Sequence, residues 1–257
     1  MSAGQTDAEG IMESFLLLAA AAFFAGIMNA IAGGGTFLTF PALIFVGVPS
    51  VVANASNTVA LFPGMSVSIW TLRNEFSRIK DVPFRWMLTV SLLGGSIGAL
   101  LLLLTPERIF SQAVPWLLLL ATFLFTFGPK FAPHLQSLFR IGPRTLVLGQ
   151  FVIAIYGGYF GGAIGILMFA LYTLCGLDDM KQMNAIRALL AGAMNGIAVL
   201  WFILAGHIAW PETLVMIGGA MVGGYIGGRG SLLMNPKHVR VAAVTISIAI
   251  TAAFFIR

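Results

Sequence analysis

Arg187 lies inside the apolar stretch 181–204, more than a helical turn from its start. A guanidinium at that depth is costly in lipid and faces either a partner or a water-filled cavity. Its planar fork of donors suits an oxyanion. The competing use is snorkelling to the interface, where Lys181 already sits. Asn54, Asn57 and Thr58 gather near the start of another apolar stretch, 51–71, and Asn184 precedes Arg187 by one turn. Amide groups donate to an anion's oxygens without adding charge. They serve equally as interhelical hydrogen bonds, worth roughly 0.6–2 kcal/mol each. Asn29 and Asn195 are lesser candidates of the same kind.

A second set of residues is defined by backbone rather than side chain. In "NAIAGGGTFLTFP" (29–41), Gly33, Gly34 and Gly35 interrupt an apolar run, Thr36 follows, and Pro41 comes soon after. In "GGYFGGAIG" (157–165), Gly161, Gly162 and Gly165 do the same. Glycine permits positive φ and close approach. A helix that restarts after such a break points free N–H groups and the positive end of its dipole at the gap, which is a natural anion site. Non-helical backbone at membrane depth persists only where protein buries it or where it lines a watery cavity. Close helix packing is the competing use of these glycines. Thr36 is placed either to cap the short helix or to touch a ligand. Gly94, Gly95, Gly98, Gly219, Gly223, Gly224, Gly227 and Gly228 form small-residue faces and are expected to pack helices together.

The elements that must hold these groups are membrane helices. Of 257 residues, 59% are hydrophobic and 9% charged, against about 25% charged in soluble domains. The apolar runs are long and continuous, unlike the alternating strands of about ten residues in an outer-membrane barrel. The expected segments are 12–31, a short one at 36–47, then 51–71, 83–104 and 109–127. A linker at 128–144 follows, then 145–161, a short one at 163–175, and 181–204, 211–233 and 238–256. The segment 36–47 spans about 18 Å as a helix and cannot cross a hydrocarbon core of roughly 30 Å unaided.

Two halves resemble each other at nearly one offset. "GGSIGALL" (94–101) matches "GGYIGGRG" (223–230), Gly47 falls on Gly176, Asn54 on Asn184 and Asn57 on Arg187. The reading is an all-α polytopic protein of two inverted repeats, 1–127 and 145–257, each a broken or re-entrant pair plus three spans. Charge sets the sidedness. Arg73, Arg78 and Lys80 place the loop 72–82 in the cytoplasm, and the linker (Lys130, Arg140, Arg144) and 234–240 (Lys237, Arg240) join it. The loops 105–108 and 205–210, with Arg108 alone between them, lie outside, and so does the N-terminus, which carries Asp7, Glu9 and Glu13 but no Lys or Arg. That N-terminus has no basic region, so a cleaved signal peptide is not expected. The five tryptophans, 70, 86, 116, 201 and 210, are expected at span ends.

The segments "AGGGTFLTFPALIFVGVPSVVANASNT" (32–58) and "YGGYFGGAIGILMFALYTLCGLDDMKQMNAIRAL" (156–189) resemble the sulfite exporter TauE/SafE family of membrane transporters. Each has a glycine run, a turn and a following helix start, and the resemblance covers essentially the whole chain as two halves. At "VPSVVANASN" the first copy departs from the family's usual text, which bears on its polar contacts. The resemblance implies a transporter in a bacterial plasma membrane that moves a small sulfur-containing anion, sulfite or an organosulfonate such as sulfoacetate. Its expected partners are that anion, the lipid bilayer and a second copy of the chain.

Other chemistry is poorly served. A phosphate loop would need Gly-Lys-Ser/Thr after the glycines. One cysteine (Cys175) and three histidines (His134, His207, His238) in expected loops give no clustered metal ligands and no base for the serine in "GMSV" (64–67). No cofactor, metal, nucleic acid or catalytic residue is expected. A passive anion channel and a non-transport membrane scaffold are the alternatives.

Overall fold

The computed structural model describes residues 3–31, 33–79, 82–138, 142–230 and 236–256. Among them run ten α-helices: α1 (Ala3–Ile31), α2 (Thr36–Phe45), α3 (Ser50–Thr71), α4 (Phe84–Leu104), α5 (Glu107–Leu138), α6 (Pro143–Tyr159), α7 (Ile164–Leu174), α8 (Met180–Leu204), α9 (Trp210–Gly230) and α10 (Pro236–Ile256). A 3-10 turn, Arg73–Arg78, lies in the basic loop. The chain is an all-α, multi-pass membrane protein. Its outer surface carries Leu16, Leu93, Leu104, Leu148, Leu204 and Ile256 in the open, a pattern that suits lipid and not water. The helix ends agree with the apolar runs to within a few residues. The exceptions are α1, which begins at Ala3, nine residues before the expected start, and α5, which passes 127 and continues to Leu138, into the stretch expected as linker. His134 and His238 accordingly fall within α5 and α10 and not in loops.

The helices pair in a pattern that survives exchange of the two halves. α1 lies along α9 as α6 lies along α4, and α3 meets α9 as α8 meets α4. α5 meets α7 as α10 meets α2, while α3 meets its counterpart α8 and α5 its counterpart α10. The correspondence reaches single atoms. A Cβ on Gly94 would lie 2.8 Å from the carbonyl oxygen of Phe151, and one on Gly98 would fall on that of Ile155. At the equivalent positions, a Cβ on Gly223 would fall on the carbonyl of Phe23, and one on Gly227 would lie 2.7 Å from Cα of Ile27. Thr122 and Thr251, which are also equivalent, share a buried hydrogen bond of 2.9 Å between α5 and α10.

The small-residue faces therefore do what packing requires. With no hydrophobic drive between helices in lipid, close backbone approach supplies the dispersion energy. Four of the tryptophans, 70, 86, 116 and 210, are exposed as belt residues would be. Trp201 is half-buried, and its buried indole N–H has no partner.

Turns repeat as well. Gly33 (φ 77°) matches Gly161 (φ 79°), and Gly47 (φ 90°) matches Gly176 (φ 81°). The first pair reverses the chain at the two helix breaks, and the second follows the two short helices. Only glycine takes such angles cheaply.

Gly223→Ala should cost about 1–3 kcal/mol by overpacking and lower the melting temperature of the solubilised chain. Gly218→Ala, on the same helix with open space around it, should leave the temperature unchanged or raise it slightly.

Candidate anion site at the helix breaks

Where α1 stops and α2 begins, and where α6 stops and α7 begins, four helix ends come together beside α3 and α8. Each end leaves backbone groups without intrahelical partners. The chain satisfies part of them locally. Gly33 N–H donates to the Met28 carbonyl at 3.0 Å, and Gly161 N–H donates to the equivalent Tyr156 carbonyl at 3.3 Å. Three more carbonyls are met from the opposite half. Arg187 on α8 donates to the Asn29 and Ala30 carbonyls at the end of α1, at 3.4 and 3.3 Å. Asn54 on α3 donates to the Tyr159 carbonyl at the end of α6, at 2.9 Å. A cation at a helix C-terminus also complements the dipole.

Arg187 is 5% exposed. Asn184 Oδ1 accepts from its Nε at 3.0 Å and from Nη2 at 2.7 Å, which fixes the plane of the guanidinium. The Phe169 ring stands 5.4 Å away. Every one of these partners is neutral, so the charge is held in place but not compensated.

Beside this group lies a cavity of about 40 Å³, room for a few water-sized groups. Gly33, Thr36, Gly161, Ile164 and Gly165 border it, so the starts of both short helices open onto it. Asn29, Asn57, Thr58, Ser68, Asn195 and Arg187 complete its polar lining. Arg187 is the only charged side chain among the described residues that line it. Much of the lining falls into equivalent pairs: Gly33 with Gly161, Thr36 with Ile164, Asn57 with Arg187, Thr58 with Ala188, Leu61 with Ala191 and Met65 with Asn195.

The candidate residues thus divide. Gly33, Thr36, Asn57, Thr58, Gly161, Gly165 and Arg187 meet at the cavity. Asn184 acts through Arg187. Gly34, Gly35, Gly162 and Asn54 do not line it. A Cβ on Gly35 would lie 2.6 Å from the Ala25 carbonyl, and one on Gly162 would press on the Phe160 ring. Asn54 is buried, with its Oδ1 unpartnered. Thr36 does not cap α2, which has no side-chain cap. Asn29 takes part of that task, accepting from Gly35 N–H at 2.9 Å. Thr39 donates to Asn57 and so positions it.

The cavity continues along α3 past Leu61, Phe62, Met65 and Ser68 to Leu72, at the end that carries Arg73. Toward the other end of α3 the structure is filled. Phe40 packs edge-on against Phe110 and Phe160, with ring centres 6.5 and 5.8 Å apart, and Phe110 packs against Tyr159 at 5.7 Å. One turn from Phe110, Glu107 accepts from the Ser50 and Val51 N–H groups and caps α3.

A family model described as Sulfite exporter TauE/SafE matches residues 18–254. The chain belongs to the TauE/SafE family. Curated relatives agree. It is 29% identical over 235 residues to a Probable membrane transporter protein of Haemophilus influenzae, covering 90% of each chain. It is 31% identical over 234 residues to Probable membrane transporter protein YfcA of Escherichia coli K12, covering 90% of this chain and 86% of that one. It is 29% identical to Probable membrane transporter protein ORF9 of a Sinorhizobium species, covering 90% and 88%. No solved structure matches. This TauE/SafE chain is a membrane transporter.

The division of residues has a measurable consequence. Asn54→Ala leaves the Tyr159 carbonyl unpaired and should cost about 1–3 kcal/mol of stability, read as a lower melting temperature of the solubilised chain. Asn184→Ala removes the acceptor of two Arg187 N–H groups and should lower the melting temperature as well.

Proposed function

We propose that this TauE/SafE transporter carries a small sulfur-containing oxyanion, sulfite or an organosulfonate, by alternating access, with the substrate held between the two helix breaks. One observation carries the reading. A buried guanidinium with only neutral partners borders a cavity onto which two helix N-termini open, and no carboxylate lines that cavity among the described residues. An anion entering there supplies the missing negative charge. Its oxygens accept from the guanidinium and from N–H groups at the starts of α2 and α7, bonds that are shorter and stronger than neutral ones.

The repeats supply the motion. On the charge-based topology, the loop carrying Arg73 is cytoplasmic, so the cavity reaching Leu72 faces the cytoplasm and the Phe40–Phe110–Phe160–Tyr159 cluster closes the outer side. Two halves of opposite orientation can exchange these roles by rocking about the α3–α8 and α5–α10 contacts. Export from the bacterial cytoplasm across the inner membrane is the direction this arrangement serves. A passive channel is the second reading. It is disfavoured by the packed aromatic cluster that fills the structure beside that end of α3.

Proteoliposomes loaded with sulfite or taurine test both. Saturable flux accelerated by substrate on the opposite side is expected, and Arg187→Lys should lower it at least about tenfold, since an ammonium cannot reproduce the fork. Flux indifferent to substrate on the opposite side would mark a channel. For sidedness, maleimide should reach Ser77→Cys only from the cytoplasm and Ala205→Cys only from outside, in a Cys175→Ser background. Labelling of both from one side would refute the inverted arrangement.

A further inference from the structure

The net charge and the shape of the same cavity narrow the substrate, an inference that rests on the anion reading above. Two helix C-termini (α1, α6) and two N-termini (α2, α7) meet at the cavity. Each contributes about half an elementary charge, negative at a C-terminus and positive at an N-terminus, so the four largely offset one another. Arg187 is then the whole charge of the site, a single positive unit with no second cation among the described lining residues. One bound negative charge neutralises it. A second would be left uncompensated in a medium where unpaired charge is costly.

The donors are also gathered at one end. Asn29, Thr36, Asn57, Thr58 and Arg187 stand toward the breaks, whereas the wall beyond them is mostly apolar, with Leu61, Phe62, Met65, Ala188 and Ala191, interrupted by Asn195 and Ser68. A tetrahedral inorganic oxyanion such as sulfate has acceptor oxygens on every side and would press some of them on this wall. An anion with a short apolar body would not.

We infer that the site selects monoanions with one charged head and a short apolar body, short-chain alkanesulfonates above all, over sulfate and over organic dianions of the same carbon skeleton. Thr58, which is half-buried and lines the same cavity as Arg187, is the position at which a second cation would reverse the choice.

Calorimetric titration of the wild-type chain in lipid nanodiscs with ethanesulfonate, ethane-1,2-disulfonate and sulfate tests this. Ethanesulfonate should bind at least about tenfold more tightly than either dianion, a difference of about 1.4 kcal/mol. Thr58→Lys should narrow or invert the ratio. A dianion bound as tightly as ethanesulfonate by the wild type would overturn the charge selection and leave the anion site standing. Sulfate bound more weakly but the disulfonate equally well would restrict the selection to the apolar body and overturn the single-charge rule. Binding of none of the three would overturn the anion reading itself, and this inference with it.

Discussion

Four helix ends meet in the interior of this protein, and the fold is organised around completing them. In lipid each unpaired backbone group costs several kcal/mol, so a helix can be broken only if something else completes it. Here the completion is reciprocal. Arg187, from the second half, takes the carbonyls at the end of α1, and Asn54, from the first half, takes the carbonyl at the end of α6. Neither break is viable in its own half alone. That dependence joins the halves chemically where the glycine contacts join them sterically.

The reciprocity is not symmetric in charge, and function enters through the difference. Asn57 and Arg187 occupy equivalent positions, yet one is a neutral amide tied to Thr39 and the other a cation tied to Asn184. An asparagine at 187, used as Asn57 is, would line the cavity and do nothing more. The guanidinium lines the cavity, caps the end of α1 through neutral acceptors, and adds a charge that those acceptors cannot cancel. The structural role and the proposed binding role thus belong to one residue. This is why the glycines beside it, Gly33 above all, must stay small: a Cβ there would lie 3.2 Å from Nη1 of Arg187 and closer still to the backbone of Gly165.

Much of this was legible in the sequence because it is written in strong local signals. Apolar run lengths gave the spans, glycine runs gave the breaks, and a lone arginine at depth marked the cavity. What was not legible depends on which atoms meet across the two halves. Asn54 and Asn57 look equivalent on the helix, three residues apart, yet one caps a distant carbonyl and the other lines the cavity. Asn29 looked minor but touches the cavity, the α2 start and Arg187 together. The rings of Phe40, Phe110 and Phe160 pass unnoticed in a chain of 21 phenylalanines, since lipid-facing and interior rings read alike. Glu107 gave no sign that it caps α3, because its target lies 57 residues away. The extension of α5 to Leu138 was hidden by prolines and polar residues that usually end a helix.

Selenite has the shape of sulfite and a heavier central atom, so it reports its own position by anomalous scattering. Crystals of the chain grown with selenite should show one anomalous peak between the starts of α2 and α7, within hydrogen-bond reach of the Arg187 guanidinium. A selenite peak held elsewhere in the protein, with that cavity empty, would contradict the claim that the paired helix breaks exist to hold an anion.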